Sequence, residues 1–452
     1  MGKGGYRVLS PTAILGYGFP ESSFLAGLKK KPDLLAVDAG STDPGPYYLG
    51  SGKSFTSRSA VKRDMGFMLR AAIELRIPLI VGSSGGAGAY PHVEWMVDIL
   101  TELAVQFNLR FSMAVISADI SPETVHEALK DKRVRPLACV PELQPEVIRQ
   151  STAIVAQMGA EPVLDAIEAG HQIIICGRCY DPVPFAAPAM QLGYDAGLAL
   201  HMGKILECAA IAATPGSGRD CVMGTLYDDC FELESLNGQR QFSRLSTAAH
   251  SLYEKSDPFS LPGPGGILDL KQTRFEALDG GRVRVSGTRF LPVRPYAVKL
   301  EGVKRVGFRS ISIAGIRDPI LIHQIGPVLD TIREQAGEIC GEDCQILFHV
   351  FGRDGVMGVL EPEKGRLSHE LGLVIEAVGP TREQADNAVS FVRSTLLHYG
   401  YPGRISTAGN LAFLYSPSDL SCGEVYEFCI YHLMEVDDPV SLFPMRMVEV
   451  SA

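Results

Sequence analysis

The sequence predicts an α/β protein: an open, mostly parallel sheet with flanking helices over residues 1–215, followed by a smaller α+β domain over 216–452. Three observations lead there. Through about residue 180, short apolar runs alternate with longer segments of helical spacing, the rhythm of strand–helix–strand units. The apolar runs are nearly uninterrupted, as expected of parallel strands buried on both faces. From 216 onward the texture changes to short alternating runs separated by Asn237-Gly238, Pro262–Gly266 and Asp279-Gly280-Gly281 turns.

Taken in order, strands are expected at 7–15, 33–37, 77–82, 111–117 and 172–176, where β-branched and apolar residues cluster. Helices are expected at 21–30, 57–76, 92–107, 122–130, 145–158 and 162–169. Ser121-Pro122-Glu123 is a clear helix start. The serine caps the orphan amides, proline suits the first turn, and the acid suits the positive end of the helix dipole. A long helical pattern runs from Asp181 to about Ala213. The second domain then reads strand 310–314, helix 325–340, strands 345–351 and 371–377, and helix 382–398, the last opened by a Thr381-x-x-Gln384 capping box.

Composition narrows function. Forty-two Lys and Arg against 52 Asp and Glu give a net charge of −10, which argues against nucleic-acid or anionic-membrane partners. A 46% hydrophobic content and a mean hydropathy of +0.10 describe a folded, soluble chain. No apolar run approaches the roughly 20 residues of a membrane helix, and the first residues do not read as a secretory signal. A cytoplasmic setting, with the ten cysteines as thiols, is therefore expected. A homo-oligomer is expected as well.

In an open parallel sheet, ligands bind at the carboxyl ends of the strands. Unusual loops follow four predicted strands. The first holds Gly16 and Gly18. The second holds Asp38, Ser41 and Thr42 and leads on to Lys53 and Arg58. The third is Gly82-Ser83-Ser84-Gly85-Gly86-Ala87-Gly88, and the fourth is Cys176-Gly177-Arg178-Cys179-Tyr180-Asp181. Glycine amides at Gly85, Gly86 and Gly88 suit an anion or carboxylate; equally, they suit a tight turn. The loop lacks the third glycine of a dinucleotide fingerprint and the Gly-Lys-Ser/Thr of a phosphate loop. Ser83 and Ser84 keep a serine hydrolase open, although the Gly-x-Ser-x-Gly spacing is missing. Arg178 can clamp a carboxylate while Asp181 moves a proton, or the two can form an ion pair that fixes their loop.

Cys176-x-x-Cys179 lies partly within a strand, which disfavours a redox motif. Cys340 and Cys344 have no second pair at zinc spacing, so no metal is expected. Histidines lack chelating spacing; His92, beside the glycine loop, is the one candidate acid or base. The loops at Ser406–Asn410 and Ser416–Asp419 read as ordinary turns or as a cover over the crevice.

The order of these motifs, with His201-x-Gly203-x-x-x-Glu207-Cys208-Ala209, Asp269-Leu270, Val283–Gly287 and Gly307-Phe308, resembles the acyclic terpene utilisation (AtuA) family over roughly residues 7–400. The resemblance implies a catabolic role beside enzymes of acyl-CoA thioesters and of di- or tricarboxylates. Some relatives carry, or work with, a small domain bearing an Arg-Ser-Gly-Asp-Lys-Gly motif, so a small companion subunit is possible here. The expected activity is a lyase, hydratase or isomerase abstracting a proton from a small anionic carboxylate or acyl-CoA. Arg178 and the Gly85–Gly88 amides would hold oxygen, and Asp38, Asp181 or His92 would be acid or base. Lys53 or Arg58 would bind a remote anionic group. No cofactor is expected, with CoA entering only as part of a substrate. The rivals are a serine hydrolase and a non-catalytic binding subunit.

Overall fold

The computed structural model describes residues 5–451 apart from 138–139, 254–256, 342 and 406; the side chain of Cys340 is likewise not described, so the Cys340/Cys344 pair and Ser406 lie outside the described residues. The chain divides into two compact units, one of residues 1–304 with 428–452 and one of residues 305–427.

In the first unit, ten strands form one sheet. They are β1 (Tyr6–Ser10), β2 (Leu34–Asp38), β3 (Leu79–Gly82), β4 (Arg110–Ile116), β5 (Ile173–Cys176), β6 (Val222–Leu226), β7 (Cys230–Ser235), β8 (Arg274–Leu278), β9 (Arg282–Ser286) and β10 (Met445–Ser451), in spatial order β8-β9-β7-β6-β1-β2-β3-β5-β4-β10. The central five run parallel: Val8 pairs with Leu34, Asp38 with Gly82, Ile80 with Ile174, and Ile116 with Cys176. All other pairings in this sheet are antiparallel. The expectation of a mostly parallel sheet is thus corrected: the sheet is mixed, with a parallel centre and antiparallel flanks. The reason is connection length. Tight turns after β6 and β8 can only make hairpins, whereas parallel neighbours need helical crossovers.

Burial on both faces explains the apolar runs. Leu35, Val37, Leu79, Val81, Ile173 and Ile175 face the helices Arg58–Leu75 and Tyr90–Phe107. Their neighbours Leu34, Ala36, Ile80, Ala114, Ile116 and Ile174 face Val183–Gln191 and Ala196–Leu206. The period of two therefore splits one continuous run between two cores. Two local expectations also change. The helix expected at 145–158 ends at Gln150, and Ala153–Ala156 forms a strand paired with Leu300–Val303, because Ile154 and Val155 favour extended backbone. The long helical pattern after Asp181 is two helices, broken at Gly193 and restarted by an Asp195 cap.

The expected boundary at 215/216 differs from the compact units. The chain past 216 continues in the same sheet, since β6 pairs with β1 along its whole length. The second unit is a mixed α/β layer. Phe308–Ile316 pairs antiparallel with Leu371–Gly379, which pairs with Gln345–Phe351. Leu371, Leu373, Ile375 and Ala377 form a core with helices Pro319–Cys340 and Arg382–His398, and the second helix opens on the expected capping box. Among the described residues, no helix is long and apolar enough to cross a membrane.

Candidate active site

Parallel strands deliver all their carboxyl ends to one edge, and the candidate residues follow. Asp38 ends β2, the Ser83 loop leaves β3, and Arg178 follows β5. The loops are drawn together backbone to backbone. The Ser84 amide donates to the Cys176 carbonyl (3.0 Å), the Arg178 amide to the Gly88 carbonyl (3.0 Å) and the Gly177 amide to the Ile116 carbonyl (2.8 Å). Gly88, at φ +67°, leaves no space for a side chain, because a Cβ there would stand 2.1 Å from the Arg178 nitrogen. Gly177 meets Ala118 as closely as 2.7 Å in the same sense.

Arg178 is fully buried and makes the hub. Its Nη1 directs hydrogen bonds to Asp181 Oδ1 (2.9 Å), the Cys179 carbonyl (2.8 Å) and Ser83 Oγ (3.1 Å), while Nε donates to Glu301 Oε2 (2.8 Å). Lys299 Nζ lies 2.6 Å from Glu301 Oε1. Burial opposes the charge on Arg178, but Glu301 and Asp181 outweigh it and hold the guanidinium protonated. For Glu301, burial raises the pKa, and Arg178 and Lys299 reverse that and bring it to about 2. Arg178 is therefore engaged by the chain's own carboxylates and sets the position of Asp181.

Asp38 is in the opposite state. Oδ2 accepts the Gly40 amide (3.1 Å), while Oδ1 is buried without a hydrogen-bond partner. Burial raises its pKa well above the carboxylate range, and the charges of Asp181 and Glu207 add to this against Arg178 and the Gly40 amide. The shift favours the protonated form of Asp38, which lies beside Asp181, whose side chain is 30% exposed.

The other predicted residues are engaged by the chain itself. The Gly16 and Gly18 amides both donate to Asp64 Oδ2 (3.0 Å each), so that cradle already holds a carboxylate. Gly86 and Gly88 donate to the carbonyls of Ser83 and Ser84, and a Cβ on Gly85 would press on His92, so this loop's glycines serve its tight turn. His92 sits behind the loop, with Nε2 on the Lys53 carbonyl (3.0 Å); burial keeps it neutral. Lys53 Nζ lies 5.9 Å from the centroid of the Tyr47 ring, and Arg58 pairs with Glu102 at the surface. Ser41 Oγ accepts the Asp43 amide and the Thr42 carbonyl accepts that of Gly45, both local turns.

Ser83 Oγ is held by Arg178 and Cys179, and Ser84 Oγ has no partner; among the described residues, neither serine hydrogen-bonds a histidine. Cys176 and Cys179 are buried, and burial pushes the Cys179 thiol well up, away from the reactive thiolate. His201 bonds Thr288 and Ser251 (2.8 Å each), and burial lowers it to about 3. Sequence reasoning missed Lys299 and Glu301. The signal was there: a Lys and a Glu two apart within the otherwise apolar run 297–303, hence on one face.

The family model for acyclic terpene utilisation protein AtuA matches residues 59–217 and 237–413, roughly three quarters of the chain, and takes in Arg178, Asp181, Glu207, Lys299 and Glu301. The chain belongs to the AtuA family. Asp38 lies ahead of the matched AtuA segments. No curated protein and no solved structure matches the chain.

Proposed function

We propose that this AtuA-family chain is an enzyme of acid–base chemistry acting on a carboxylic acid or its thioester, coenzyme A entering only as part of such a substrate. The observation that carries the reading is the pair Asp38 and Asp181: two carboxyl groups at one strand edge in contrasting environments, one with its pKa raised by burial and one oxygen unpartnered, the other held by a buried guanidinium. A carboxyl whose pKa burial raises, beside a second carboxyl in a different environment, can take the acid role and leave the base role to its neighbour. Asp181 takes the proton from the carbon next to the substrate carbonyl. Asp38, through Oδ1, gives its proton to the carbonyl oxygen, and the enol so formed collapses when the two protons return or a β-leaving group departs. Isomerase, hydratase and lyase outcomes share this first step. Arg178 is the positioning residue for Asp181, not a substrate clamp. The family's description makes acyclic terpene-derived acids and thioesters the substrates to try first.

The test is proton exchange. The protein is incubated in D2O with acyclic terpenoid acids, short carboxylates and their CoA thioesters, and α-proton signals are followed by NMR. Exchange with at least one compound is expected, falling about 10²–10⁴-fold in Asp181→Asn and in Asp38→Asn. No exchange with any compound, or exchange intact in both variants, would overturn the reading.

A further inference from the structure

A second concavity in the first unit is chemically unlike the Asp38 edge. A cavity of about 250 Å³ opens between the Pro262–Gly266 turn, Arg135, Gln157 and Lys299, with walls from Leu137, Pro264, Ile267, Val293, Pro295 and Leu433. That volume is about eight waters' share of liquid at roughly 30 Å³ each. The walls are mainly apolar, and two cations stand among them. Lys299 is committed to Glu301, and its Nζ lies 5.2 Å from the centre of the Tyr431 ring. Arg135 is exposed and has no ion pair among the described residues. The turn that roofs the cavity is braced from within: Gly263 lies on the Tyr180 ring and Gly265 on the Tyr296 ring, whose hydroxyl donates to Glu161 (2.7 Å). The walls are thus largely pre-formed, as small-molecule sites are.

We infer that this cavity binds a monocarboxylate with a compact apolar body, the body against Ile267, Val293 and Leu433 and the carboxylate on Arg135. An apolar recess with one uncommitted guanidinium recognises just these two features together, since Arg grips a carboxylate with two parallel donors. A neutral molecule of the same shape leaves Arg135 unpaired, and a cation is repelled. Three ion pairs in series, Lys299 with Glu301, Glu301 with Arg178 and Arg178 with Asp181, link the cavity to the Asp38 edge. The inference does not rest on the acid–base reading, because binding is measured without turnover.

Hexanoate is titrated into the full chain by calorimetry, beside 1-hexanol and the variants Arg135→Ala and Ile267→Trp. Both substitutions fall at exposed or half-exposed positions, and thermal melts followed by circular dichroism report whether each variant is folded. One saturable site is expected for hexanoate, with affinity about tenfold weaker in Arg135→Ala and about tenfold weaker for hexanol, and with binding lost in Ile267→Trp. Absence of saturable binding, or binding intact in Ile267→Trp, overturns the site. Equal affinity for hexanoate and hexanol, or no change in Arg135→Ala, overturns the carboxylate.

Discussion

Asp38 in the first unit and Glu376 in the second are both acids in sheets, and their surroundings differ in kind. Both oxygens of Glu376 are occupied, one by Arg309 Nε (2.6 Å) and the other by His349 Nε2 (2.7 Å), so that although burial alone would raise its pKa, these partners lower it. Asp38 keeps one oxygen unused, and burial, with two neighbouring carboxylates, raises its pKa. A fold built only for stability satisfies its buried polar groups, as around Glu376. An acid left half-satisfied, at the edge where parallel strands end, is the kind of group that functional sites are built around, and it is on this contrast that the proposed chemistry rests.

The largest expected effect tests how deep this difference goes. Arg178 and Glu301 expose 2% and 1% of their side chains, so Glu301→Ala leaves the buried guanidinium without its Nε partner and with Asp181 as its one remaining ion-pair partner among the described residues, and should cost about 3–5 kcal/mol. Arg309 and His349 are each about two-fifths exposed, so Glu376→Ala should cost about 1 kcal/mol or less. Urea unfolding of both variants gives the comparison; equal losses would dissolve it. Next in size is Gly88→Ala. The added methyl meets the Arg178 backbone nitrogen at 2.1 Å, and φ is +67°, so overpacking and left-handed strain together should cost about 2–5 kcal/mol. A stable Gly88→Ala protein would mean that the glycine loop and the Gly177-Arg178 loop do not close on one another as described.

The third effect is smaller and changes with pH. The folded pKa of Asp38 is raised, so the unfolded chain releases this proton first, near the ordinary Asp value of about 3.9. Unfolding then releases a proton, and Asp38 lowers stability as pH rises above that value until its folded pKa is passed. Asn imitates the protonated acid and removes the slope. The stability of Asp38→Asn relative to the parent should therefore increase from about pH 4 upward, while exchange activity falls. Glu301 has the opposite sign. Its folded pKa of about 2 lies below the unfolded value, so its contribution is complete above about pH 4.3 and is lost as pH falls through 2. Unfolding curves from pH 3 to 8 separate the two. A flat difference between Asp38→Asn and its parent would mean that Asp38 is charged.

What the sequence made legible was local. Apolar runs marked the parallel strands, Ser121 and Thr381 marked helix starts, and the ends of strands brought Asp38, Ser83, Arg178 and Asp181 to one edge. What it hid was long-range. Glu301 reaches Arg178 from 123 residues away, and nothing in the spacing of either segment says that Ala153–Ala156 turns to pair with Leu300–Val303. The role of Gly16 and Gly18 was misread for the same reason: two amides poised for an anion look alike from the sequence whether the anion is a ligand or Asp64, 46 residues further on. The C-terminal strand β10, antiparallel to β4, could not be placed without knowing that β4 leaves an edge open.

The smallest effect probes the second unit's freedom from these constraints. Gly337 lies within the helix Pro319–Cys340, has no left-handed φ, and a Cβ there would meet nothing within 4 Å. Its only consequence is conformational: glycine gives the unfolded chain more freedom than alanine and weakens the helix. Gly337→Ala should therefore stabilise by about 0.5–1 kcal/mol, read as a higher urea midpoint with unchanged slope. The same substitution at Gly88 is expected to have the opposite sign because there the backbone of a neighbouring loop occupies the methyl's place. If Gly337→Ala destabilised instead, the helix would be meeting a surface that its exposure does not show, and the second unit would carry a constraint as strict as the one that closes the Asp38 edge.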